Sequence, residues 1–126
     1  MIIRLYDQNS YLSATDINRI EENMQTCYGL VFDKSIQETS VKTFSDILTP
    51  GVLNRIESTI LEMQMASQSM GVYEKPKTDW KVGDSISYLD LNRIEQNLKF
   101  IYEFYSESSA EVLYPGDNKY LAQQFI

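Results

Sequence analysis

Three times along the chain an amide, a guanidinium, an isoleucine and a carboxylate follow one another: Asn18-Arg19-Ile20-Glu21, Asn54-Arg55-Ile56-Glu57 and Asn92-Arg93-Ile94-Glu95. The asparagines are 36 and then 38 residues apart, and a hydroxyl residue (Ser13, Thr49 or Ser87) stands five positions before each. The chemistry on offer is hydrogen bonding and ion pairing. An asparagine amide donates and accepts at once, and a guanidinium matches a carboxylate. Nothing in the phrase is a nucleophile. With no histidine, the chain lacks His-based triads, most zinc geometries and the commonest general base. Its one cysteine, Cys27, has no base to activate it. The carboxylates fall in no EF-hand or acid/base spacing. The expectation is therefore a protein that is not an enzyme, with no catalytic residue, no metal and no cofactor.

The elements that carry the phrase read as helices. Ser13, Thr49 and Ser87 sit where helix caps belong, their oxygens free to take a first-turn amide. Asp16 and Asp90, three residues after a capping serine, are acidic partners for a capping box and face the positive end of the helix dipole. Pro50 follows Thr49 at the first helical position, where its missing N–H is not needed. Beyond each cap, apolar residues alternate at spacings of three and four, the seam of helices packed side by side. They are Ile17, Ile20, Met24, Cys27 and Val31 in the first copy. Leu53, Ile56, Ile60, Met63 and Met70 follow in the second, and Leu91, Ile94, Leu98, Ile101 and Tyr105 in the third. Gly29 and Gly71 are candidate stops. The spacing predicts helices over about 14–28, 50–70 and 88–106.

The connectors between them are longer than helix hairpins need, and long enough to run back along a helix and restart at the same end. The expected fold is mainly α: three internal repeats, each an extended connector plus one helix, packed as a pseudo-threefold three-helix bundle. A plain up-down-up bundle with surface connectors is the other arrangement these lengths allow. The repeats span about 5–29, 40–71 and 79–106 of a single domain covering 1–126, and 107–126 form a C-terminal docking tail. Within the repeats Asn18, Asn54 and Asn92 are expected to tie down the incoming connector. Arg19 and Arg93 can pair with Asp16 and Asp90. Copy two has Val52 at that position, leaving Arg55 without such a partner. Glu21, Glu57 and Glu95 are placed either to meet an arginine of a neighbouring helix or to stand as solvated flank residues.

Composition limits the partners. A formal charge of −7 argues against a phosphate-backbone binder and against docking on anionic membranes. No apolar run reaches the roughly 20 residues of a membrane span, and Met1-Ile2-Ile3-Arg4 is no signal peptide. The second half of the third helix is apolar on nearly every side, carrying Phe100, Tyr102 and Phe104 besides its seam. Such a helix is buried or is an interface. With Tyr120, Phe125 and Ile126 of the tail it makes a candidate docking surface.

The third copy, Trp80-Lys-Val-Gly83-Asp84-Ser-Ile86-Ser87-x-x-x-Leu91-Asn92-x-Ile94-Glu95, resembles a segment found near the N-termini of tail-fibre and baseplate proteins of phages and prophages of Gram-positive bacteria. The first copy matches from Leu12 and the second from Leu48, with Tyr6 and Phe44 as loose stand-ins for the tryptophan. The resemblance implies a structural virion protein, made in the bacterial cytoplasm, that acts as a small adaptor at the baseplate, tail or fibre attachment point. Its partners would be fibre, baseplate or tail subunits, on a threefold or sixfold axis, with neither nucleic acid nor membrane. A head-fibre or neck component is a close variant. An acidic inhibitor that binds a host protein is the alternative of another class.

Overall fold

A computed structural model describes residues 1–35, 49–67 and 74–112, with side chains to residue 106. Three helices make up the fold: α1 (Ala14–Phe32), α2 (Pro50–Ala66) and α3 (Tyr88–Val112). There is no strand among the described residues. Each helix starts at the capping residue that its sequence marks. The Ser13 hydroxyl accepts from Asp16 N–H while the Asp16 carboxylate accepts from Ser13 N–H at 2.9 Å. Ser87 and Asp90 repeat this pair of bonds at 3.4 and 2.9 Å. Thr49 caps α2 alone, taking Val52 N–H at 3.2 Å with Pro50 in the first turn.

The far ends depart from the spacing. Helix α1 runs through Gly29 to Phe32 and closes on Asp33, which takes the left-handed conformation (φ 57°) and donates its N–H to the Gly29 carbonyl at 2.9 Å. The Tyr28 and Phe32 rings, 4.7 Å apart, pack across that extra turn, and aspartate tolerates the left-handed region better than most residues. Helix α2 stops at Ala66, where the polar Ser67 falls on the seam and leaves the helical conformation. Met70 and Gly71 lie outside the described residues. Helix α3 continues to Val112. The first residues assigned to a tail are therefore helical, because no glycine or proline interrupts the chain before Pro115.

The buried core is the predicted seam up to its last positions, where Val31 and Tyr105 are only partly buried. Ile17, Ile20, Met24 and Cys27 of α1, Leu53, Ile56, Ile60 and Met63 of α2, and Leu91, Ile94, Leu98 and Ile101 of α3 are all buried. Cys27 donates its S–H to the Leu98 carbonyl at 3.3 Å. Burial pushes its thiol up to about 12, so it behaves as a small hydrophobe. Trp80 joins this cluster from the segment before α3, and Tyr6 is buried too, in the segment before α1.

All three helices begin at one end of the bundle. Ion pairs link residues of their second turns in each direction: Arg19 to Glu95, Arg93 to Glu57 and Arg55 to Glu21. Helices joined this way run parallel, with their starts at one end. The 74–87 segment travels back along α2. Glu74 C=O is near Gln64 Nε2 (3.4 Å), Lys77 N–H donates to Glu57 and Trp80 is held by Asn54. The N-terminal segment does the same along α3, from Arg4 on Glu95 to Tyr6 on Asn92.

Candidate functional site

The repeated phrase forms a set of clasps around the start of the bundle. In the first, Asn92 on α3 grips one residue of the N-terminal segment from both sides. Its Oδ1 accepts Tyr6 N–H at 2.7 Å and its Nδ2 donates to Tyr6 C=O at 3.0 Å. The Tyr6 hydroxyl donates to Glu95. Arg19 of α1 closes on the same carboxylate with Nε at 3.1 Å and Nη2 at 2.5 Å, and holds Asp16 at 2.9 Å. Arg4 stacks its guanidinium 4.7 Å above the Tyr6 ring and pairs with Asp16 at 2.7 Å.

The second clasp repeats the first on another pair of helices. Asn54 on α2 accepts Trp80 N–H at 2.8 Å and donates to Trp80 C=O at 3.0 Å. Trp80 Nε1 donates to Glu57 at 2.8 Å, and Arg93 of α3 reaches that carboxylate with Nε at 3.0 Å and Nη2 at 2.6 Å. Lys77 stands 4.9 Å over the Trp80 ring, as Arg4 does over Tyr6. Even the turns after the two aromatics agree. Ser10 N–H donates to Asp7 C=O while the Ser10 hydroxyl accepts Asp7 N–H; Asp84 N–H donates to Lys81 C=O while the Asp84 carboxylate accepts Lys81 N–H. Gly83 supplies the one positive φ in the second turn (98°).

The third station joins α1 and α2. Arg55 Nη2 lies 2.8 Å from Glu21 Oε1, and Asn18 is half-buried at the position equivalent to Asn54 and Asn92. Phe44 and the other residues of 36–48, between α1 and α2, lie outside the described residues.

Of the two placements the sequence allows for the glutamates, the structure shows the one that meets an arginine of a neighbouring helix: Glu57 and Glu95 are 0% exposed and Glu21 is 2% exposed. The segments that Asn54 and Asn92 hold lead into the next helix, not their own: Asn54 holds the one entering α3, Asn92 the one entering α1. Two further residues go unnoticed in sequence. Asn97 grips Glu74 through its N–H (3.0 Å) and C=O (2.8 Å), and Asn23 donates to the Ile2 carbonyl at 2.9 Å. Both stand five residues after the first asparagine of their copy, where copy two has Thr59. That recurrence was their only signal.

Electrostatics follow the geometry. Burial disfavours the Asp16 charge, but the bonds from Ser13 N–H, Arg19 and Arg4 outweigh it and hold its pKa below the usual carboxylate range. Asp90 is lowered in the same way, burial again opposing and Ser87 and Arg93 prevailing. Burial, reinforced by Glu95, pushes the Tyr6 phenol up, so it remains an O–H donor. The Glu95 bond raises Arg19. A lowered folded-state pKa adds stability that is present above the unfolded value and lost as pH falls through the folded one. Thermal scans should therefore show a drop in melting temperature beginning below about pH 4. Asp16→Asn should be less stable than the parent at neutral pH and lose less on acidification.

Asn54→Ala removes both bonds to the Trp80 backbone at once. An expected loss of about 1–3 kcal/mol, the cost of leaving partly buried peptide groups unpaired, is measurable by urea unfolding. An unchanged midpoint would remove the bracing role.

The named docking aromatics sit differently from a free face. Phe100, Tyr102 and Phe104 are each half-buried and packed against the core, while Tyr120, Phe125 and Ile126 lie outside the described residues. Leu30 and Met65 are exposed in the last turns of α1 and α2, while Tyr11, Val82 and Leu89 are exposed near the helix-start end. An open cleft of about 430 Å³ lies there between the 7–12 turn and the start of α3, with Tyr11, Leu12, Tyr88 and Leu91 in its walls.

Among the described residues, no group of three or more Cys, Asp or Glu is arranged to hold a metal ion, and no helix is long and apolar enough to cross a membrane. The arrangement defines a parallel three-helix bundle whose polar groups hold extended backbone. No protein-family model, curated protein or solved structure matches the chain.

Proposed function

We propose that the chain is a docking module without catalytic function: a pseudo-threefold bundle made by one polypeptide, serving as a small structural adaptor of a tailed-phage particle at its baseplate, tail or fibre attachment point. The observation that carries this reading is the cyclic order of the clasps. The glutamate of each copy meets the arginine of the next, and the third copy meets the first, so the ring closes within one chain. Three separate single-repeat chains would make the same contacts between subunits. One chain that makes them internally presents a near-threefold end to a threefold or sixfold partner without itself being a trimer. The apolar residues exposed at that end, Tyr11, Val82 and Leu89, supply contact area suited to another protein. The resemblance of Trp80–Glu95 to fibre and baseplate segments supports the setting.

Quantitative mass spectrometry of particles purified from the strain that encodes the chain tests the assignment. A fixed ratio to tail-tube or portal subunits is expected, and that ratio separates threefold from sixfold sites. Presence in the lysate but absence from particles would overturn it.

A further inference from the structure

We propose that the cleft between the 7–12 turn and the start of α3 receives a basic side chain, an arginine or a lysine, from the protein that docks on this end of the bundle. Its walls combine the Tyr11 and Tyr88 rings and the Asp7 carboxylate with Leu12 and Leu91, and they contain no lysine or arginine. The chain uses the same combination twice inside its own fold. Arg4 stands 4.7 Å over the Tyr6 ring and pairs with Asp16; Lys77 stands 4.9 Å over the Trp80 ring and pairs with Asp79. In both places an aromatic face and a carboxylate together hold one cation.

In the cleft the rings and the carboxylate are open to solvent. Tyr11 is 87% exposed and Tyr88 36% exposed, and among the described residues no cation lies over either ring. Asp7 Oδ1 accepts Asn9 N–H at 2.8 Å, whereas Oδ2 accepts no hydrogen bond from the described residues. Arg4 donates to the Tyr11 carbonyl at 3.0 Å, but its charge is held on Asp16. Nor does the start of α3 repel a cation, because the Asp90 carboxylate accepts Ser87 N–H at 2.9 Å and offsets the positive end of the helix dipole.

Charge selects the occupant. A formal charge of −7 disfavours an acidic or phosphate-bearing partner. A wholly apolar partner would strip water from Asp7 Oδ2 and put no donor in its place, which is unfavourable. Arginine or lysine supplies that donor, sets its charge against a tyrosine face and lays its apolar stem along Leu12 and Leu91.

This inference rests on the docking role proposed above and not on a place in the virion. Isotope-labelled full-length protein is titrated at constant ionic strength with the capped peptide Gly-Arg-Gly, and separately with Gly-citrulline-Gly, which keeps the shape and loses the charge. Gly-Arg-Gly is expected to shift the amide signals of Tyr11, Leu12, Tyr88 and Leu91 saturably, and the citrulline peptide to bind about tenfold more weakly, the effect of one charge-assisted contact. Asp7→Asn keeps an acceptor for Asn9 N–H, so it should weaken Gly-Arg-Gly about tenfold with the melting temperature unchanged. Tyr11→Ala, at a position too exposed to hold the fold, should weaken it about threefold, and Tyr11→Phe should not. Absence of saturable shifts, equal affinity for the two peptides, shifts spread over other exposed carboxylates such as Asp79 and Glu103, or undiminished affinity in Asp7→Asn would each overturn the proposal. Peptide binding by a protein that is absent from particles would remove the virion assignment and leave this one standing.

Discussion

Glu57→Ala is expected to cost about 3–5 kcal/mol, the range for removing one member of a buried ion pair. At this chain length that lowers the melting temperature by roughly 10–20 °C. The carboxylate accepts four bonds, from Lys77 N–H (3.0 Å), Trp80 Nε1 (2.8 Å), and Arg93 Nε (3.0 Å) and Nη2 (2.6 Å). Truncation leaves all four donors without their acceptor in a place that water does not reach, since Glu57 is 0% exposed. The ion pair itself need not be the source of the effect. An apolar replacement of both Glu57 and Arg93 is often close to neutral for buried pairs, so the single variant measures the stranded partners. Glu22→Ala, one residue from a clasp glutamate but exposed, should stay within about 0.5 kcal/mol of the parent. Urea unfolding of the two variants side by side separates these outcomes, and comparable small losses would mean that the clasp does not hold the fold.

Leu98→Ala should cost a similar amount, about 2–5 kcal/mol, for a different reason. Leu98 is 0% exposed on the seam of α3 and belongs to one cluster with Met24 and Cys27 of α1 and Ile56 and Ile60 of α2. Its removal opens a cavity among three helices, whose close-packed neighbours cannot all move in to fill it. Leu98→Met keeps the volume and should cost less than about 1.5 kcal/mol. Equal losses from the two substitutions would place Leu98 outside the shared core. With total stability of ordinary domains at 5–15 kcal/mol, combining Leu98→Ala with Glu57→Ala should leave little folded protein.

Legibility in the sequence followed the range of the interaction. Helix starts are local: a hydroxyl residue, an aspartate three positions on or a proline decides them, and α1, α2 and α3 begin beside Ser13, Thr49 and Ser87. The seam is local as well, because its spacing of three and four is a property of one helix. Helix ends were less readable, since Gly29 permits a stop without requiring one and the Tyr28–Phe32 ring pair carries α1 past it. That a glutamate could meet an arginine of a neighbouring helix was readable, but which copy pairs with which was not. Nothing in Asn-Arg-Ile-Glu says that Glu57 meets Arg93 instead of Arg55, or that Asn92 reaches back to Tyr6 across 86 residues. The burial of these glutamates was undecided for the same reason: a carboxylate beside an apolar stripe reads as solvated or paired until a neighbouring helix and its connector cover it. The likeness of Tyr6 to Trp80 was faint in sequence, because the chemistry they share is a donor at the ring's far end and not a common residue type.

One chain makes all three arginine–glutamate pairs by itself, and sedimentation equilibrium of the purified protein across a concentration series tests this most directly. The predicted result is a folded, helical monomer at the chain mass of 14.6 kDa, unchanged on dilution. An obligate trimer of three times that mass, losing its helix as it dissociates, would contradict it, because the contacts assigned within the chain would then be made between chains.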